Sequence, residues 1–291
     1  MSELIYLNGE FIPQENACVS VMDRGFLFGD GVYEVIPAYA GQPFRLREHL
    51  RRLDASLEGI RMSPPLDEDQ WRDILQRLLA QRGDADQQIY LQITRGAYGK
   101  RLHTIPEDIN PTVMAFATEL ARRDPELVKQ GMSVITLDDI RWDRCNIKAI
   151  TLLANILSQQ QARDEGAQEA ILVRDGQANE GTASNLFIVK DNLIITPPKS
   201  RHLLPGITRD LVLELARDAG LPYAEASISV EELEAAEEIW ITSSTKEVMP
   251  VTRLNGHPVD NGHPGPMWEK MDALYAACKA RLRLRSSSPE D

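Results

Sequence analysis

The apolar residues of the first half recur at two periods. Leu46, Leu50, Leu53 and Leu57 return at spacings of four, three and four, which lines one face of an α-helix on which Arg51 and Arg52 ride. Trp71, Ile74, Leu75, Leu78 and Leu79 predict a second helix of the same kind. Elsewhere the pattern is that of strands. Leu4–Leu7 and Glu10–Ile12 flank Asn8-Gly9, the pair that supplies both positive φ angles of a hairpin turn. The residues after Gly31 read as a strand with Tyr33 at its start. Gln88 to Thr94 and Thr112 to Thr118 read as two more, joined by the glycine-containing loop Arg95 to Pro106.

Charge and proline interrupt the pattern at Leu120 to Leu127, which places an interdomain linker there. The second half resumes with a strand near Ser133 to Leu137 and a helix from about Thr151 to Glu165. Strand-like Ala170–Val173 and Leu186–Val189 follow, with Glu180 in the turn between them. Leu203 to Gly206 feeds a helix, Ser229 to Glu232 is a capping box, and Glu238 to Thr245 is a strand ending in hydroxyls. Asn255-Gly256 marks another hairpin, Trp268 to Arg281 a closing helix, and Ser286 to Asp291 a disordered tail. We expect domains at 1–119 and 131–291 with a linker at 120–130. There is no internal repeat, low-complexity block, Walker loop or dinucleotide fingerprint.

Bulk properties narrow the classes. A chain of 291 residues with 43% hydrophobic content suits two globular domains. A net charge of -12 argues against sequence-independent nucleic-acid binding, so an anionic substrate needs local cations. The opening Met1–Leu7 has no basic or long apolar segment and no run reaches membrane length, which leads us to expect a soluble cytoplasmic protein without membrane or nucleic-acid partners. The three cysteines, Cys18, Cys145 and Cys278, are too widely spaced for a disulfide framework or a metal site.

Chemistry gathers around Lys148. It lies in Ile147-Lys148-Ala149-Ile150, ahead of Leu152, Leu153, Ile156 and Leu157. Burial in that company would oppose its charge and leave an amine able to form a Schiff base. Glu180 could keep a pyridine nitrogen protonated. Equally, Lys148 could snorkel and Glu180 be a solvated turn residue. The turn into the helix at Gly206-Ile207-Thr208 offers amide groups and a hydroxyl to an anion, or is an ordinary cap. Ser243 and Ser244 offer a second set of hydroxyls. Arg101 and His103, two apart, could converge on one anion or belong to a solvated loop.

Taken together, these residues suit pyridoxal phosphate catalysis, and the chain resembles the fold-type IV pyridoxal-phosphate enzymes, within them the D-amino-acid aminotransferases. The resemblance runs through Asp23-Arg-Gly, Phe28-Gly-Asp-Gly-Val-Tyr-Glu34, Ile93-Thr-Arg-Gly, Asp139-Ile-Arg-Trp, Glu180-Gly, Gly206-Ile-Thr-Arg-Asp210 and Thr242-Ser-Ser-Thr245. It implies a mixed α+β and α/β fold, with a smaller N-terminal α/β domain and a larger C-terminal pseudo-barrel that binds pyridoxal 5′-phosphate. It makes Lys148 the Schiff-base lysine and proton shuttle, and Glu180 the partner of the ring nitrogen. Arg52, Ile207, Thr208 and Ser244 fall on phosphate-holding positions, and Leu204 on the far face of the cofactor. Tyr33, Arg101 and His103 match a trap for the substrate carboxylate, the Arg-x-His pair reaching in from the other subunit of a homodimer. Ala183 stands where such enzymes often have Ser, and Ser244 where Thr is common. The implied reaction moves an amino group between a D-amino acid and 2-oxoglutarate or pyruvate. The same fold also serves branched-chain L-aminotransferases and aminodeoxychorismate lyases, and a catalytically silent binding protein is the alternative of another class.

Overall fold

In a computed structural model, residues 3–286 are described. The tail expected to be disordered therefore lies outside the described residues beyond Ser286. The chain divides into two compact units: one takes in the chain up to Ala121, the segment Ile147–Thr151 and the chain from Arg281 onward, and the other takes in Arg122–Asn146 and Leu152–Ala280.

The first unit holds β1 (Leu4–Leu7), β2 (Glu10–Pro13), α1 (Arg24–Phe28), β3 (Gly31–Tyr39), β4 (Gln42–Pro43), α2 (Leu46–Gly59), α3 (Glu68–Leu79), β5 (Gln87–Thr94) and β6 (Thr112–Glu119). Its six strands form a sheet in the order β2-β1-β6-β5-β3-β4. The leucine stripe of α2 is buried as its spacing requires, and packs with Trp71, Leu75 and Leu78 of α3 against Ile36, Ile89 and Leu91 of the sheet. Each such side chain contributes roughly 1.5–3 kcal/mol by leaving water. The short α1 escaped the periodicity argument because it has too few turns to show one. It is set by its ends: the Asp23 carboxylate accepts from the Gly25 amide at 2.7 Å, and Gly29 closes it at φ 68°.

Lys148 falls within the range read from sequence as the second domain, yet Ile147–Thr151 packs with the first unit. The amide of Tyr33 donates to the Lys148 carbonyl at 3.0 Å and the amide of Ile150 to the Gly31 carbonyl at 3.1 Å. Ile147 and Ala149 join the core beneath β3. The leucines and isoleucine downstream do not shield the lysine: Leu153, Ile156 and Leu157 are 69%, 60% and 55% exposed. The apolar setting of Lys148 comes from its immediate neighbours and β3.

The second unit begins with α4 (Pro125–Gln130), a helix inside the stretch expected to be a linker, with Asp124 as its cap and Pro125 in its first turn. β7 (Met132–Asp138), α5 (Leu153–Asp164), β8 (Glu169–Arg174), β9 (Gln177–Gly181), β10 (Asn185–Lys190), β11 (Leu193–Thr196) and α6 (Ile207–Asp218) follow. Then come β12 (Tyr223–Glu225), β13 (Ile228–Ser229), α7 (Val230–Glu234), β14 (Glu238–Ser243), β15 (Glu247–Leu254), β16 (His257–Pro258) and α8 (Pro266–Ser286), which passes into the first unit at Arg281. Both halves of the Ser229 capping box form. The strands run β12-β11-β10-β14-β15-β7-β8-β9-β13, and β9 also pairs with β10. That extra pairing closes six of them, β10-β14-β15-β7-β8-β9, into a ring. Glu180 sits on β9, opposite Leu172 on one side and Asn185 on the other, and not in a turn. No helix of the described residues is long and apolar enough to cross a membrane.

Candidate active site

The first unit presents the lysine. Lys148 Nζ lies 4.2 Å from the centroid of the Tyr33 ring, a cation–π distance, and its backbone amide donates to the Ser56 hydroxyl at 3.2 Å. Tyr33 stacks on Tyr90 at 5.7 Å, and Tyr90 on Phe116 at 5.2 Å. Burial pushes the Tyr33 phenol up, helped by the neighbouring Glu34, and takes Tyr90 up to about 12.

Next to Tyr33 on β3, Glu34 points to the other face and is fully buried. Arg52 of α2 grips it with a fork, Nε to Oε1 and Nη2 to Oε2, each at 2.7 Å, and His49 Nδ1 lies 2.8 Å from Oε2. Burial opposes the carboxylate, but Arg52 and His49 hold Glu34 far below its ordinary range. His49 is driven down by its burial. Arg52, expected to hold a phosphate, is thus aimed by a buried carboxylate from the neighbouring strand. The sequence marks this only faintly: His49 and Arg52 are three apart on the α2 face that carries Leu50 and Leu53, and Glu34 lies among the apolar residues of β3.

Glu180 anchors the second unit's part. It is buried, and both oxygens are engaged. Oε1 accepts from Arg141 Nη1 at 2.5 Å; Oε2 accepts from Asn185 Nδ2 at 3.1 Å and from the Leu204 amide at 3.0 Å. Burial pushes its carboxyl up to about 7, against the pull of Arg141 and the Leu204 amide. Arg141 is itself locked by Asp139, which accepts from Nε at 2.8 Å and Nη2 at 2.9 Å, and by the His202 carbonyl at 3.2 Å. Arg141 and Asn185 were missed as site residues. Asp139 and Arg141 are two apart, the spacing that lets an extended segment direct both to one side; nothing in the sequence marks Asn185.

The remaining second-unit positions gather beside that pair. Asn185 is opposite Thr242 on β14, whose last residue is Ser243, and the turn carrying Ser244 follows. Its carboxamide also donates to the Leu204 carbonyl at 2.9 Å. Gly206 caps α6, and a Cβ there would stand 1.8 Å from Asn185 Oδ1, so only glycine admits the contact. The amides of Ile207 and Thr208 open the helix and are among the groups that find no partner within it. Thr208 is buried, and the Thr242 hydroxyl is buried without a hydrogen-bond partner among the described residues. The Ser243 hydroxyl accepts from the Lys246 amide at 3.1 Å.

Arg101 and His103 are exposed on the loop after β5. Both meet Phe28: the Arg101 guanidinium lies 4.9 Å from the ring centroid, and the His103 ring is edge-on at 5.5 Å. Among the described residues neither shares a hydrogen bond, ion pair or ring contact with Tyr33.

A sequence profile described as Amino-transferase class IV matches residues 31–254. The chain belongs to that family. A protein named D-alanine aminotransferase from Listeria monocytogenes serotype 4b is 38% identical over 273 residues, covering 93% of this chain and 94% of that protein. One of the same name from Bacillus licheniformis is 40% identical over 263 residues, covering 90% and 92%. Among solved structures, the Escherichia coli branched-chain amino acid aminotransferase superposes with a TM-score of 0.88 at 28% identity, over 95% of this chain and 94% of that one. The branched-chain enzyme of T.th., solved with pyridoxamine 5′-phosphate, gives 0.89 at 28%, over 96% and 94%. These superpositions match the mixed α/β fold expected of the class.

Proposed function

We propose that the chain is a pyridoxal 5′-phosphate-dependent aminotransferase that moves an amino group between a D-amino acid, such as D-alanine or D-glutamate, and 2-oxoglutarate or pyruvate. The observation that carries the reading is Lys148 Nζ held 4.2 Å from the centroid of the Tyr33 ring. The relatives named D-alanine aminotransferase, at 38% and 40% identity against 28% for the branched-chain structures, support the D-substrate.

The residues present fit the cofactor. Glu180 is a water-shielded carboxyl whose proton affinity burial has raised, and a protonated ring nitrogen beside it would favour its charged form. On the second unit, the α6 amides with the Thr208 hydroxyl, Ser243 and Ser244 would hold the phosphate, and Leu204 would cover the ring's far face. When bound, pyridoxal 5′-phosphate supplies a carbonyl carbon for amine exchange and a ring that withdraws electrons from the carbon being deprotonated.

The rest falls to this chain's side chains. Lys148 Nζ takes the proton from the substrate's α-carbon and returns one, as a positioned amine can. Arg141, Asn185 and the Leu204 amide fix both oxygens of Glu180, so that group does not reorient during turnover. Tyr33, Arg101 and His103 bind the substrate carboxylate, and the side on which they hold it decides which enantiomer presents its α-proton to Lys148. Arg101 and His103 serve a second copy of the chain in a homodimer. The exposed apolar residues around them, Phe26 at 75%, Ile105 at 47% and Leu102 at 43%, suit such a contact.

Separate D- and L-alanine, glutamate and branched-chain donors, each offered with a 2-oxo acid, decide the substrate: transfer from D-donors is expected, and transfer from L-donors alone would replace this reading with the branched-chain one. Full activity of a monomer at high dilution would remove the dimer.

A further inference from the structure

The Asp23-Arg-Gly and Phe28-Gly-Asp stretches have no part in the reaction described above, yet the structure directs both at one loop. Arg24, the first residue of α1, is buried. Its Nη1 donates to the Leu102 carbonyl at 2.6 Å and to the Thr104 carbonyl at 3.4 Å, the carbonyls of the residues on either side of His103. Its Nε is fixed by Asp30 Oδ2 at 2.8 Å, and Asp30 is fixed in turn by Arg95, Nε to Oδ2 at 2.8 Å and Nη2 to Oδ1 at 3.0 Å. Arg95 is tied to the end of α2 through the Ile60 carbonyl at 2.6 Å. The loop backbone is therefore anchored through charged forks to α2, an element with a packed core behind it.

Phe28 does the same for the side chains. Two guanidiniums, those of Arg24 and Arg101, each lie 4.9 Å from the centroid of its ring, and the His103 ring meets it in an edge arrangement at 5.5 Å. A ring face attracts cations and a ring edge packs against another aromatic. One half-buried ring thus holds both members of the Arg-x-His pair, whose side chains are otherwise exposed and would lose rotamer freedom only on binding a ligand.

We propose that Phe28 and Arg24 are positioning residues for the Arg101/His103 carboxylate clamp, Phe28 orienting its two side chains and Arg24 holding its backbone. This rests on the reading of Arg101 and His103 as a substrate-carboxylate clamp. Neither positioning residue touches the substrate; their contribution is to order the clamp before the carboxylate arrives.

The test uses the full-length holoenzyme, with propionate as a plain carboxylate probe followed by calorimetry, and with KM and kcat for pyruvate measured alongside. Phe28→Leu keeps an apolar side chain and removes the ring. It is expected to weaken propionate about tenfold, the size of one cation–π contact, and to raise KM alike while kcat falls less than about threefold. Phe28→Tyr, which keeps the ring, stays within about twofold of the parent, and Arg24→Lys, which keeps charge but not the fork, follows Phe28→Leu. Should Phe28→Leu not yield folded holoenzyme, Phe28→Met takes its place. Arg101→Ala separates the two levels of the argument. If it weakens propionate and Phe28→Leu or its Met substitute does not, the positioning role is wrong and the clamp stands. If Arg101→Ala leaves propionate binding unchanged, the clamp reading fails and the inference falls with it.

Discussion

Asn185 donates from Nδ2 to Glu180 Oε2 at 3.1 Å across the strand pair that closes the six-stranded ring of the second unit. The same nitrogen donates to the Leu204 carbonyl, so one carboxamide ties a strand seam, a candidate catalytic carboxylate and the loop leading into α6. Asn185→Ala should cost about 1–3 kcal/mol, the penalty for leaving buried partners unsatisfied. Denaturant unfolding of the cofactor-free protein checks it. An unchanged midpoint would mean that the seam is held by its backbone alone.

Glu180→Gln isolates the carboxylate's charge. Arg141 keeps both contacts to Asp139, so the variant should fold, while kcat should fall by about 10²–10³-fold as for loss of a preorganised electrostatic group. Its stability should also change with pH. Folded Glu180 holds its proton up to about 7 where an ordinary glutamate releases it near 4.5, so the folded chain binds more protons between those values. That contribution is complete below about 4.5 and is lost as pH rises through about 7. The cofactor-free parent should show this decline and Glu180→Gln should not; parallel profiles would contradict the assignment.

The first unit should behave in the opposite sense. Burial keeps His49 neutral below its ordinary value of 6.5, and Arg52 keeps Glu34 charged below its ordinary 4.5. The unfolded chain binds more protons at both sites, so stability falls as pH drops below about 6.5 and falls again below about 4.5, by up to ~1.4 kcal/mol per pH unit for each proton. His49→Gln should flatten the upper part of that acid limb in urea titrations at pH 5 to 6.5. If the slope there is the same in both proteins, His49 is not the group responsible.

Lys148→Ala should abolish turnover while the chain remains folded, since Ile147 and Ala149 supply the core contacts of that segment. A donor assay at saturating 2-oxo acid reads it directly, and near-normal turnover would remove Lys148 from the mechanism.

Gly206→Ala should cost about 1–3 kcal/mol of overpacking, because its methyl would press on Asn185 Oδ1 and displace the start of α6. If those amides hold a phosphate, pyridoxal 5′-phosphate should dissociate more readily from the variant, as measured by absorbance on dilution. Retention equal to the parent's would separate the turn from the phosphate.

The elements with several turns or clean alternation were legible. The α2 leucines and the α3 apolar face lie where their spacing puts them, and Asn8-Gly9 and the Ser229 capping box fold as their local chemistry dictates. What the sequence concealed was pairing between distant segments. Lys148 reads as a residue protected by the helix after it, yet that helix is exposed on its apolar side and β3, more than a hundred positions earlier, provides the shelter. Glu180 reads as a turn residue because β9 is too short to show a period. Arg141, Asn185, Glu34 and Arg24 carry no periodic signal at all; each matters through one partner that only the folded chain brings near.

The seam at Asn185 and Glu180 has a consequence for substitutions made there. Here the strand pairing that closes the ring and the seating of the carboxylate share one residue pair, Asn185 opposite Glu180. The carboxylate is therefore held by the same contact that joins β9 to β10 and leaves neither strand with an open edge there. A substitution at Asn185 therefore reaches the seam and the carboxylate together, whereas one that keeps the Glu180 shape, such as Glu180→Gln, reaches the chemistry alone.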